Sequence, residues 1–252
     1  MDLQAFIDES GALASELGAA FYFDPITSAA GEAIGLDVLT FYALGRAGVM
    51  GDPESSVISS AFGYFKPTIV DFLWKEGKAK VDPRTAAQAH LAAAHAFAQQ
   101  YFAGIDELEA FCGALERVII AHELGSSPLF AAYASLPLPA EPVARAYQLV
   151  VTLRELRGGS HLTAIVASGL EPRVAHFIAR PDMFTTFGWS NDDVPEVGNA
   201  EIEAMSCAQD LTDRLVAPSL ALLSSEDREV VLRVLRAMRG AWQGEVIPAD
   251  LL

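Results

Sequence analysis

Arg46 is the only basic side chain within residues 1–65, where it faces nine acidic ones. It closes the stretch GLDVLTFYALGRAG, which otherwise offers a nearly continuous apolar surface. One role for it is structural: a cation near a helix C-terminus is favoured by about 0.3–1 kcal/mol, and Asp24 or Asp37 could pair with it. The other role is chemical: Arg46 would meet the carboxylate, sulfate or phosphate of a ligand in an aromatic-walled pocket. Tyr22, Phe62 and Tyr64 are the expected walls, with Phe21, Phe23, Phe41, Tyr42 and Phe65 nearby in the chain. Apolar walls with a few convergent polar groups are the usual make-up of a small-molecule site. Aromatics at helical spacing also make cores. On the chemical reading, Arg46→Ala abolishes turnover and leaves the thermal midpoint nearly unchanged.

Two residues are candidates for proton transfer. Asp24, in FYFDPIT, is placed to cap a helix before Pro25, and facing the aromatics it would serve as a general base. His161 follows the turn-like RGGS and is expected at a helix start, where the helix dipole disfavours imidazolium and leaves a neutral, usable base. Arg154 and Arg157, one turn apart just before it, could point to the same turn and hold an anion. The plainer alternative pairs them with acidic neighbours such as Glu155.

Near the C-terminus, SSEDREVVLRVLRAMRGAW reads as a capped amphipathic helix. Its apolar face is Val231, Val234, Leu235, Met238 and Trp242. Arg233, Arg236 and Arg239 form a separate stripe, expected either as a solvated flank or as a docking site. The docked partner would be acidic, such as a carrier protein delivering a tethered substrate, or a second copy of the chain.

Other chemistries lack their residues. No glycine-rich loop follows a strand, and no G-x-S-x-G elbow is present. His90 and His95 lie five apart on an alanine-rich helix, about 140° apart around it, a poor chelating pair. Neither metal nor cofactor is expected. The two cysteines, Cys112 and Cys207, are isolated, so they suit neither a disulfide framework nor a thiolate metal site.

The elements that must carry these residues are helical. Apolar positions recur mostly at helical spacing, and no alternating run reads as a strand. Acid-proline pairs at Asp24-Pro25, Asp52-Pro53, Asp82-Pro83 and Glu171-Pro172 mark helix starts. Helices are predicted near 2–20, 25–46, 53–64, 67–76, 83–103, 105–123, 127–134, 142–157, 160–168, 172–179, 199–217 and 225–241. The segment TFGWSNDDVPEVGN reads as a loop or the remnant of a short hairpin. SLPLPAEP, residues 135–142, has three prolines in eight residues and is the expected boundary between lobes 1–135 and 142–252.

The chain is 52% hydrophobic with a mean hydropathy of +0.28, enough for a substantial core. No stretch approaches the roughly 18 apolar residues of a membrane span, and MDLQAFIDES lacks the basic start of a signal peptide. A cytoplasmic protein with no membrane contact is expected. The net charge of −16 is spread over both halves, −10 over residues 1–135 and −6 over 136–252, and should repel a phosphate backbone. LRELRGGSHLTAIVASGLEPRVAHFIA has the layout of a helix-turn-helix, with Arg173, His176 and Arg180 as its only base-reading side chains. Residues 154–180 hold four arginines against two glutamates, so DNA binding is disfavoured.

Five stretches, FYFDPITSAAGEAIGLDVLTFYALGRAGVMG, SAFGYFKPTIV, LRELRGGSHLTAIVASGL, FGWS and DLTDRLVAP, resemble an uncharacterised actinobacterial family of helical proteins with a winged-helix-like C-terminal half. The resemblance implies an all-α fold, an N-terminal helical bundle followed by a degenerate winged helix. Where that family carries a second histidine and an aspartate, this chain has Leu156 and Gly159, and its wing segment is shortened. The resemblance also associates relatives with antibiotic biosynthesis, including strained nitrogen-ring formation. The expected function is therefore a cofactor-free enzyme of specialised metabolism, an intramolecular ring closure or an elimination with an anionic leaving group. The rivals are a ligand-responsive winged-helix transcription factor and a non-catalytic binding subunit of a biosynthetic enzyme.

Overall fold

Asp24 and Asp82 each accept a hydrogen bond from a backbone N–H two or three residues on, at 2.9 and 3.0 Å, and Pro25 and Pro83 begin the helices that follow. Here the acid-proline signal means what the sequence suggests. At Asp52-Pro53 it does not: the helix starts at Ser55, and Asp52 pairs with Lys78 instead. Glu171 provides no side-chain cap, although Pro172 still begins a helix.

The computed structural model describes residues 1–242. Among the described residues twelve α-helices and no strand are found: α1 (Leu3–Leu17), α2 (Pro25–Ala33), α3 (Val38–Ala47), α4 (Ser55–Phe62), α5 (Pro67–Lys78), α6 (Pro83–Phe102), α7 (Leu108–Ala121), α8 (Pro128–Ala134), α9 (Pro142–Ala167), α10 (Pro172–Ala179), α11 (Asn199–Leu220) and α12 (Ser225–Ala241). The fold is all-α, and among the described residues no single helix is long and apolar enough to cross a membrane.

α9 is the axis. Its residues Ala146 to Leu153 are all buried, eight in succession, as expected only of a helix enclosed on every side. α1, α6, α7, α8 and α11 pack around it. One apolar core runs from Phe6 to Trp242, drawing on residues both before and after the proline-rich loop at 135–141. A smaller cluster of Ala164, Ile165, Leu170, Val174, Ala175 and Ala208 ties the end of α9 to α10 and α11. The turn between α9 and α10 is a Schellman motif. Leu170 N–H donates to the Ile165 carbonyl and Gly169 N–H to that of Val166, both at 3.1 Å.

Two helix boundaries differ from the sequence reading. The predicted helix 25–46 is broken at Gly35, whose φ of +79° a residue with Cβ adopts reluctantly. Asp37 then caps α3 through Thr40 N–H at 3.0 Å. Conversely, Gly158 and Gly159 do not interrupt α9, which runs unbroken through RGGS. The packing along α9 outweighs the roughly 1 kcal/mol that each mid-helix glycine costs.

The segment TFGWSNDDVPEVGN forms no hairpin. Lys66 N–H donates to the Phe187 carbonyl at 2.9 Å, Trp189 Nε1 to the Tyr64 carbonyl at 2.8 Å, and Lys66 pairs with Asp193 at 2.7 Å. Phe65 and Phe187 stack at 4.0 Å. The segment is thus spent on the turn after α4.

Candidate functional site

A cavity of about 770 Å³ lies between α9 and the α3–α4 region. α3 contributes Tyr42 and Arg46, and the end of α4 with its turn contributes Phe62, Tyr64 and Phe65. α9 contributes Arg154, Glu155, Arg157, Gly158, His161 and Leu162. Ser126 and Ser127 also line it.

Arg46 sits on the wall of this cavity, but its charge is not free. Its Nε and Nη2 donate to the two carboxylate oxygens of Glu155 at 3.0 and 2.8 Å, and its Nη1 donates to the Tyr42 hydroxyl at 2.8 Å. Its guanidinium carbon lies 4.7 Å above the Phe62 ring. Arg46 was expected to be a ligand-binding group separable from folding, and here it is corrected: it is a buried half of an ion pair. Asp24 and Asp37, its expected partners, cap helices instead. Burial would raise the Glu155 pKa, but Arg46 and Arg154 overcome that and hold the carboxyl below its usual range.

Arg154 donates one Nη to Glu155 at 2.8 Å and to the Tyr22 hydroxyl at 3.2 Å. Its remaining nitrogens have no partner among the described residues. Arg157 is less engaged still: its Nε is buried without a partner, and Asp213 is 3.9 Å from its Nη2. Both side chains lie against α1 at glycines. A Cβ at Gly11 would fall 2.5 Å from Arg157 Nε, and one at Gly18 would fall 2.8 Å from Arg154 Cβ. These two glycines, one heptad apart, let the arginines run past α1 into the cavity.

His161 lies inside α9, not at a helix start, so the helix dipole is not what keeps it neutral. Burial, with the adjacent positive Arg157, pushes its pKa down to about 4. Its tautomer follows from its neighbour. Thr212 spends its hydroxyl hydrogen on the Ala208 carbonyl at 2.7 Å, so it must accept from His161 Nδ1–H at 2.8 Å. Nε2 is left with the lone pair. Tyr64 also lines the cavity, and burial pushes its phenol up, so that it stays a donor.

The other expected site residues are elsewhere. Asp24 is outside the cavity lining. Its oxygens are taken by Ile26 N–H at 2.9 Å and the Tyr101 hydroxyl at 3.3 Å. Tyr22 is buried behind the wall, where its hydroxyl donates to Glu155 at 3.3 Å. Phe62 is at the wall as expected. Glu155, which organises the whole cluster, did not figure among the candidate site residues. A signal for it exists: it continues, at i+4, the buried position of Val151, and a buried carboxylate needs a cation.

The sequence profile of the helix-turn-helix family matches residues 10–248. The chain belongs to that family. No curated protein and no solved structure matches it.

In this helix-turn-helix protein the stretch expected to read bases is α10. Arg173 donates to the Asp193 carbonyl at 3.0 Å, Arg180 pairs with Asp182 at 3.2 Å, and His176 is buried. Of these three side chains His176 is buried, while Arg173 and Arg180 remain partly exposed beside their partners within the chain. The arginine stripe of α12 lies on the surface, Arg233 and Arg236 exposed and Arg239 half-buried, and each arginine has an acidic partner within the chain. Arg233 pairs with Glu107, Arg236 with Glu9, and Arg239 with Glu16. These pairs clamp α12 to α1 and to Glu107, at the N-terminal edge of α7. Among the described residues no group of three or more His, Cys, Asp or Glu could hold a metal ion.

Proposed function

We propose that the protein is a small-molecule enzyme that binds an anionic substrate in the cavity and acts on it by proton transfer and placement. One observation supports this reading: Arg154 and Arg157 line the cavity, Arg154 with only one of its guanidinium nitrogens hydrogen-bonded and Arg157 with no closer acid than Asp213 at 3.9 Å, beside a neutral His161 whose Nε2 lone pair is bare. Glu155 is saturated by Arg46, Arg154 and Tyr22, so a ligand meets surplus positive charge.

The two arginines hold the anionic group, Tyr64 donates a hydrogen bond, and His161 removes a proton. Arg46 acts indirectly, by fixing Glu155 and through it Arg154. The arrangement suits an intramolecular ring closure, such as azacycle formation, or an elimination. The proton goes to His161, and the departing anion stays balanced by the arginines. Holding the reacting atoms in place can supply several kcal/mol toward ring closure. A place in specialised metabolism rests on the sequence resemblance.

The test is a fluorescence titration with 1-anilinonaphthalene-8-sulfonate, an aromatic anion matched to apolar and cationic walls. Wild type should bind it saturably. Arg154→Ala and Arg157→Ala should each weaken binding about tenfold, the effect of losing one charge-assisted contact. His161→Gln should leave binding intact. Equal affinity in all four proteins would remove the anion site.

Family membership favours a second reading, a ligand-responsive regulator that binds DNA through α10. It predicts affinity for the protein's own upstream DNA that falls steeply with salt, visible in a mobility-shift titration. The engaged α10 arginines and the net charge of −16 weigh against it.

A further inference from the structure

We infer that Gly158 is the specificity-determining position of the cavity, the bare stretch of helix across which the body of the bound molecule lies. This rests on the anion-site reading above. α9 carries two glycines at its centre, Gly158 and Gly159, and glycine is the weakest helix former after proline. Gly159 has a packing reason: a Cβ there would lie 2.6 Å from Ser127 Oγ. Gly158 has none. It is exposed and lines the cavity, and a Cβ there would meet no atom within 4 Å. Nothing in the protein forbids a side chain, and the helix would be stronger with one.

Its neighbours give it a use. Arg154 lies one turn before it, Arg157 adjoins it, and His161 and Leu162 lie one turn after it; all four line the cavity. Positions three and four apart share a helix face, so Gly158 separates the unspent guanidiniums from the base. A molecule whose anionic group rests on the arginines and whose acidic proton reaches His161 must cross residue 158. Arg157 and His161 are about 6 Å apart along the helix axis, so the ligand class is an anion with its acidic centre a few bonds away. The body between them is flat or unbranched and passes over backbone. Any Cβ at 158 would occupy that path.

The test uses Gly158→Ala and Gly158→Leu in the full chain, with 1-anilinonaphthalene-8-sulfonate and inorganic phosphate as probes. Both variants should melt about 2–4 °C higher, from the gain in helix propensity. Gly158→Leu should bind the aromatic sulfonate about tenfold more weakly, and Gly158→Ala less so. Thermal protection by phosphate should be unchanged, since phosphate needs only the guanidiniums. Unchanged sulfonate affinity in Gly158→Leu, with binding in wild type still dependent on Arg157, would overturn the role of Gly158 and leave the anion site standing. A lower midpoint in Gly158→Ala would overturn it too, by showing a structural need for the glycine. Sulfonate binding indifferent to Arg157 would remove the anion site, and the role of Gly158 with it.

Discussion

Arg46 and Glu155, 109 residues apart, meet in a two-point ion pair at 3.0 and 2.8 Å on the wall of the cavity. The pair joins α3 to the central helix α9. It also explains the only cation in the acidic first quarter of the chain: a carboxylate enclosed on α9 requires it. Both partners are almost fully buried, so each depends on the other for compensation of its lost hydration.

Removing one partner should therefore destabilise the fold. Arg46→Ala leaves Glu155 with Arg154 as its only cation, and broken buried pairs cost about 3–5 kcal/mol. Chemical denaturation of Arg46→Ala should show a loss near the lower end of that range. Arg46→Met combined with Glu155→Leu should recover most of it. A midpoint unchanged in Arg46→Ala would mean that the pair contributes nothing to folding.

Gly18 and Gly11 should separate stability from binding. At Gly18 a Cβ would meet the Ala14 carbonyl oxygen and Arg154 Cβ, both at 2.8 Å. Neither neighbour can yield easily, and Gly18→Ala should cost about 1–3 kcal/mol. At Gly11 the obstacle is the middle of the Arg157 side chain, which can swing. Gly11→Ala should keep most of its stability while losing anion affinity. Denaturation curves and sulfonate titrations on the two variants distinguish these outcomes.

Stability should fall on mild acidification. Burial lowers the pKa of all five histidines, with His161 at about 4 and His90 at about 3. The unfolded chain, with histidines near 6.5, binds more protons than the folded one between that value and the folded values. Stability is thus fully present above about pH 6.5 and is lost as the pH falls through the window down to 4 and 3. Thermal midpoints taken from pH 8 to 4 should decline from about 6.5 downward. His90→Gln should flatten the decline, because His90 is buried with no partner for Nε2.

Helix existence was largely legible in the sequence, because Asp24-Pro25 and Asp82-Pro83 carry their own caps and the apolar period is helical. The continuity of α9 was not, since RGGS reads locally as a turn and only burial along the whole helix keeps it straight. Arg46, Arg157, Tyr64, Phe62 and His161, read from separate stretches of the sequence, all line one cavity. Asp24 and Tyr22 fall outside it, because a short cap and a buried ring satisfy each of them elsewhere. Arg233, Arg236 and Arg239 looked like a free stripe because their partners, Glu107, Glu9 and Glu16, are more than 120 residues away. Pairing across such distances leaves no trace in local spacing.

The most direct test of the anion site is to follow the arginine Nε–Hε resonances by NMR while titrating inorganic phosphate. Arg157 and Arg154 should shift saturably, with a common dissociation constant, while Arg233 and Arg236 on α12 stay still. Equal small drifts of every arginine, or no movement at Arg157, would contradict the site.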